Sequence, residues 1–107
     1  MLFRSAKASG QLAVSFDLEG SDMLEGDLDM LRLYHDLGVR QMHLAYNRDN
    51  AVGGGCHGAD IGLTPFGRKV VAEINRLGIL MDCSHTGYRT SMDVMAMSGK
   101  QIGRAHV

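Results

Sequence analysis

A rhythm constrains this chain more than any single residue does. A short apolar run is followed by a longer segment with helical spacing, three times in succession. Residues 11–18 are short and mostly apolar and read as a buried strand. Glu19-Gly20 ends that strand, and Ser21 or Asp22 can cap a helix over 23–37. Leu24, Leu28, Leu31 and Tyr34 form its apolar stripe, and Gly38 stops it. Residues 39–45 read as a second strand with Tyr46-Asn47 at its end, followed by a glycine-rich loop over 52–58. Thr64-Pro65 opens a second helix, whose stripe is Phe66, Val70, Val71, Ile74 and Leu77, and Gly78 ends it. Residues 79–84 read as a third strand ended by His85. A third helix is expected over 88–97, with Met92, Met95 and Ala96 inward and Gly99 as its stop.

Alternation of this kind predicts an α/β fold with a parallel sheet and helices packed on it. In such folds the chemistry gathers at the carboxyl ends of the strands. Those ends carry Glu19, Tyr46 with Asn47, and His85. Size limits the architecture, because a closed eight-stranded α/β barrel takes about 250 residues and this chain has 107. Three strand–helix units therefore form either a small open sheet or a piece of a barrel, with sheet edges left open. No internal repeat and no domain linker stands out.

Charge and composition exclude several function classes. Eleven basic residues stand against twelve acidic ones, so no cationic excess exists to neutralise phosphates, and nucleic acid is not an expected partner. No apolar run approaches the roughly 18 residues of a membrane helix. Residues 1–7 lack the apolar region of a secretory signal. The compartment is not indicated. Cys56 and Cys83 do not make a disulfide framework, and without Cys-x-x-Cys spacing they support a thiol-redox protein only weakly. Eight methionines are core filler before they are a ligand set.

Each candidate residue has a plain reading beside the chemical one. His35, next to Asp36, reads as a surface residue, and His43 reads as part of a strand. His57 sits beside Cys56 in the glycine loop, without the second ligand pair that zinc requires. Gly53-Gly54-Gly55 resembles a phosphate cradle only superficially, because it lacks the lysine of a P-loop and does not lead directly into a helix. His85 is either a rim imidazole or a solvated residue before a helix. Glu19 follows a buried strand, where a carboxylate is costly unless hydrogen-bonded, paired or metal-bound; the plain reading is exposure near a helix N-terminus. Together Glu19 and His85 fit an incomplete metal-hydrolase rim.

Five strings, in order and in register, resemble the membrane (renal) dipeptidases. They are Phe16-Asp17-Leu18-Glu19-Gly20, Leu37-Gly38-Val39-Arg40, Leu44-Ala45-Tyr46-Asn47, Gly62-Leu63-Thr64-Pro65-Phe66-Gly67, and the run 77–85 ending Asp82-Cys83-Ser84-His85. The resemblance covers roughly residues 10–100. That family consists of zinc peptidases on an eight-stranded α/β barrel, so the resemblance implies a partial (β/α)8 barrel of about three strand–helix units, residues 1–107 being part of a single metallohydrolase domain. It implies a two-zinc site in which Glu19 bridges the metals and His85 binds one of them. Lys100 to Val107 aligns without a gap on the next ligand strand, which makes His106 a further ligand; the other reading of residues 101–107 is a non-native tail. Tyr46 falls where many members carry a substrate-contacting histidine, and a phenol can still donate to a substrate carbonyl.

The family's His-x-Asp metal pair and its late aspartate, which orients or deprotonates the metal-bound water, have no counterpart in these residues. The chain therefore matches the middle of a barrel, about its third to fifth units. The implied chemistry is hydrolysis of small dipeptides by metal-activated water, including those with a D-residue in second position. Little activity is expected from the chain alone. The rival reading is an inactive half-barrel that associates with itself or with a complementary partner through its open edges.

Overall fold

The computed structural model describes residues 2–97 and 102–103. A helix α1 (Leu2–Ser9) precedes strand β1 (Phe16–Leu18) and a short 3-10 turn, Asp22–Leu24. Helix α2 (Asp29–Asp36) then leads to β2 (Val39–His43), α3 (Pro65–Leu77), β3 (Leu80–Asp82), α4 (Tyr88–Met97) and β4 (Ile102–Gly103). The strands lie side by side in chain order, β1-β2-β3-β4, and every adjacent pair is parallel. The fold is thus α/β with a parallel sheet, as the alternation predicts.

Helix α3 shows why its limits are readable from sequence. Thr64 is in extended backbone, and its Oγ1 accepts from the Gly67 N–H at 2.9 Å, while Pro65 takes the first turn where no amide is needed. Gly78 closes the other end at φ 76, a left-handed conformation that costs glycine little. Between them Val70, Val71 and Ile74 are fully buried. Truncating the cap, Thr64→Ala, is expected to lower the unfolding free energy by about 1 kcal/mol, read as a shift of the urea midpoint at unchanged slope.

The register separates two faces. Leu18, Met42 and Met81 stand abreast across the sheet, and both methionines belong to the core beneath α2 and α3 with Leu31, Val70, Val71 and Ile74. Because side chains alternate along a strand, the neighbouring positions Asp17, Gln41, His43 and Asp82 fall on the opposite face. There Asp17 pairs in register with Gln41, and His43 with Asp82.

Three expectations are corrected. The strand expected over 11–18 forms ladder bonds only at 16–18; Leu12 is 86% and Val14 65% exposed, because no described element lies outside β1 to receive them. A helix at Leu2–Ser9, where no element is expected, precedes it instead. The helix expected over 23–37 breaks, since Glu25 (φ 52) and Gly26 (φ 73) turn left-handed and the Asp27 carboxylate restarts the chain by accepting from the Asp29 N–H at 3.0 Å. The stripe survives the break: Leu24 and Leu31 are fully buried, with Leu28 and Tyr34 packed against them. In α4 the inward residues are Thr90 and Val94, whereas Met92, Met95 and Ala96 are exposed. Thr90 faces in because its Oγ1 accepts from Gly54 N–H and donates to the Ile61 carbonyl, both at 2.8 Å, so polar bonds rather than hydropathy set the rotation of this helix. The stop expected at Gly99 lies outside the described residues.

Candidate functional site

Three expected site residues stand at the carboxyl end of the sheet. Glu19 directly follows β1 and is exposed. Gly20 beside it is buried against Tyr46: a Cβ built on Gly20 would lie 3.9 Å from the Tyr46 Cβ. The turn after β1 is fastened to the end of β2 by Ser21, whose buried hydroxyl donates to the Leu44 carbonyl at 2.5 Å. Asn50 donates to the same carbonyl at 2.8 Å. Tyr46, 40% exposed, stacks on His85 with ring centroids 4.1 Å apart and planes 24° apart. His106 lies outside the described residues.

The ends of β2 and β3 share an unusual backbone. Asn47 (φ 68) and His85 (φ 63) are both left-handed without being glycine, a conformation costing about 1–3 kcal/mol that must be repaid by contacts. Those contacts are present. The His85 carbonyl accepts from the Asn47 and Cys56 amides, each at 3.0 Å. The Asn47 carbonyl accepts from His57 N–H at 2.8 Å. Between the side chains, His85 Nδ1 lies 3.0 Å from Asn47 Oδ1, which also accepts from the Cys56 thiol at 3.2 Å.

The glycine loop builds this arrangement and leaves its amides no phosphate to hold. Gly53 N–H donates to Asn50 Oδ1, Gly54 N–H to Thr90 Oγ1, and Gly55 N–H to Asp49 Oδ1. Gly58 N–H turns back to the Gly55 carbonyl, and Ala59 N–H meets the second Asp49 oxygen at 3.1 Å. A donor set satisfied from within is a brace, not an anion nest. Gly55 also forms an isolated antiparallel bridge with Thr86, locking the loop to the segment after β3. Cys56 is exposed and Cys83 buried, and no disulfide joins them.

Beneath the rim lies a polar layer that the strand pattern conceals. His43 is 6% exposed; its Nε2 lies 3.1 Å from Asp82 Oδ2 and 3.9 Å from Asp17 Oδ2. Gln41 Nε2 donates to the same Asp82 oxygen at 3.0 Å, and the Ser84 amide donates to Asp82 Oδ1 at 2.8 Å. Burial pushes the Asp82 carboxyl up, but the Ser84 hydrogen bonds and His43 outweigh it and hold the group below its ordinary range. Asp17 moves the other way: burial raises it, His43 only partly offsets that, and the charges of Asp82 and Glu19 add to the rise. The sequence signal for this layer is period-two polarity at Asp17 and Glu19, Gln41 and His43, and Asp82 and Ser84. The His43 Nδ1 is buried without a partner among the described residues. A cleft of about 300 Å³ opens beside the rim, between His85 and the exposed Met92 and Met95 of α4.

The donor set at this rim is a carboxylate and an imidazole, both of which zinc accepts. Among the described residues, no three His, Cys, Asp or Glu side chains are grouped to hold a cation. Likewise, among the described residues no helix is long and apolar enough to cross a membrane.

Comparison with known proteins gives a consistent picture. A family model described as membrane dipeptidase (peptidase family M19) matches residues 3–105. An uncharacterized dipeptidase of Schizosaccharomyces pombe is 32% identical over 105 residues, covering 92% of this chain and 25% of that protein. The crystal structure of an amidohydrolase from Pseudomonas aeruginosa superposes with a TM-score of 0.86 at 37% identity, over 92% of this chain and 30% of that one. A metallo peptidase from Rhodobacter sphaeroides, liganded with a phosphinate mimic of the dipeptide L-Ala-D-Ala, matches with a TM-score of 0.82 at 35% identity and the same coverage. The chain thus spans about a quarter of the curated relative and under a third of the solved chains.

Proposed function

The chain belongs to the membrane dipeptidase family of metallopeptidases, and we propose that it is a central part of a zinc dipeptidase barrel carrying part of its metal site. The observation that carries this reading is the convergence of Glu19, Tyr46 and His85 on the ends of three adjacent parallel strands. Residues 1–107 form three strand–helix units of one (β/α)8 domain in this reading, and the strand order, which follows the chain order, supports it.

Of a two-zinc centre, Glu19 would bridge both ions, and His85 and, outside the described residues, His106 would each help to hold one metal. Bound zinc supplies Lewis acidity and makes water a nucleophile near neutral pH. The chain's own residues do the rest. Stacking on Tyr46 limits the ring motions of His85. The Tyr46 phenol, reachable from solvent, is placed to donate to the carbonyl of a bound dipeptide. The substrate class follows the relatives: the Rhodobacter sphaeroides protein is liganded with an L-Ala-D-Ala mimic, and dipeptides with a D-residue in second position are proposed here.

Zinc titration of the 107-residue chain, followed by NMR, tests the metal assignment. The His85 ring and Glu19 side-chain resonances are expected to shift first; shifts confined to His35 or His57 would refute it. The partial ligand set predicts little or no dipeptide hydrolysis by this chain even with excess zinc, and robust turnover would overturn that incompleteness. A second reading, an inactive module that associates through its open edges, is favoured by the exposed Leu12, Val14 and Phe16 on one side and Met92, Met95 and Met97 on the other. Sedimentation as a compact monomer counts against it.

A further inference from the structure

We propose that Asn47 is the positioning residue for His85, fixing which ring nitrogen carries the proton and therefore which one faces a metal. The proposal rests on the zinc reading of His85 above and adds to it a residue with no direct role at the metal.

Asn47 Oδ1 can only accept, and it lies 3.0 Å from His85 Nδ1. A hydrogen bond there requires the proton on Nδ1, which places the lone pair of the neutral ring on Nε2. Asn47 presents that oxygen to a second donor as well, the Cys56 thiol at 3.2 Å. Its backbone is pinned at both ends, with its N–H on the His85 carbonyl and its own carbonyl on the His57 amide. Tyr46, the preceding residue, covers the ring face at 4.1 Å. One dipeptide, Tyr46-Asn47, therefore sets both the plane and the tautomer of the imidazole on the next strand. Metal-ligating histidines are commonly held through the other ring nitrogen in this way.

The backbone dictates which variants are informative. At φ 68, Asn47 tolerates glycine and aspartate but penalises most side chains. Asn47→Gly keeps the backbone and removes the acceptor. Asn47→Asp keeps both. Cys56→Ala removes the other donor and leaves the Asn47–His85 contact. The readouts are the His85 ring ¹⁵N shifts at alkaline pH, where imidazole is neutral, and zinc affinity measured by titration. Wild type, Asn47→Asp and Cys56→Ala are expected to show Nδ1–H on His85. Asn47→Gly is expected to lose that preference and to bind zinc about 10–100-fold more weakly.

An unchanged tautomer and unchanged zinc affinity in Asn47→Gly would overturn the proposal. So would an Nε2–H ring in the wild type, which decides the matter even if Asn47→Gly fails to fold. Failure of the zinc reading looks different: the wild type would show Nδ1–H on His85, lost in Asn47→Gly, and yet no zinc-dependent shift at that ring.

Discussion

Asp82→Ala is expected to lower the unfolding free energy by about 3 kcal/mol. The carboxylate accepts from Gln41 Nε2, from the Ser84 amide and from His43 Nε2. Its removal takes from His43, a side chain 7% exposed, its partner at 3.1 Å and leaves only the more distant Asp17 carboxylate at 3.9 Å. Asp82→Asn keeps the shape and one of the two acceptor oxygens and removes the charge. Because the folded carboxyl is held below its ordinary value, its stabilisation is present above that ordinary range and is lost as pH falls below about 4. Asp17 is shifted up, so acid relieves a cost there and offsets part of the loss. Urea midpoints measured from about pH 6 down to about pH 3 should therefore fall more in the wild type than in Asp82→Asn. Parallel curves would show that the Asp82 charge is not what this layer depends on.

Gly55→Ala is expected to be as damaging, at about 3 kcal/mol, because nothing near it can yield. A Cβ there would lie 2.2 Å from the Asn47 carbonyl carbon and 2.3 Å from the Arg48 nitrogen, both backbone atoms. Relief requires the loop to leave β2, breaking the bridge to Thr86 and the Cys56 hydrogen bond to the His85 carbonyl. Urea denaturation should show the loss, and the His85 ring shifts should show the altered rim. A fully stable variant with native His85 shifts would mean that the loop accommodates the methyl group elsewhere.

The parts of this fold that were legible in the sequence are those where one residue type has one local use. Thr64, Pro65 and Gly78 bound α3 because a cap oxygen, a missing amide and a left-handed stop are each nearly residue-specific. The positions of Glu19, Tyr46 and His85 at strand ends followed from the alternation itself. The break after Leu24 was not legible, because the helical stripe continues across it and Glu25 gives no sign of its left-handed turn. In α4 the methionines drew the apolar face to the wrong side, since the anchoring residue is the polar Thr90. The Asp17–His43–Asp82 layer was hidden for a related reason: strands read as uniformly apolar leave no room for an alternating face. Asn47 lies in the Leu44–Asn47 string, but its role depends on Cys56 and His85, distant in sequence and adjacent only once the strands are parallel.

The docking of the glycine loop also has a consequence for the order of assembly. Its anchors straddle α3: Asn47 and Asn50 come before that helix, while His85, Gly87 and Thr90 come after it. The loop therefore cannot take its final shape until α3 and β3 have been laid down and returned alongside β2. The paired left-handed residues at the two strand ends are set by the same late closure. Glu19 and Tyr46 are laid down in the chain before several of the residues that brace the rim, His85, Gly87 and Thr90. Completion of the rim is thus a checkpoint on the whole unit, reached only by chains whose third strand has found its register.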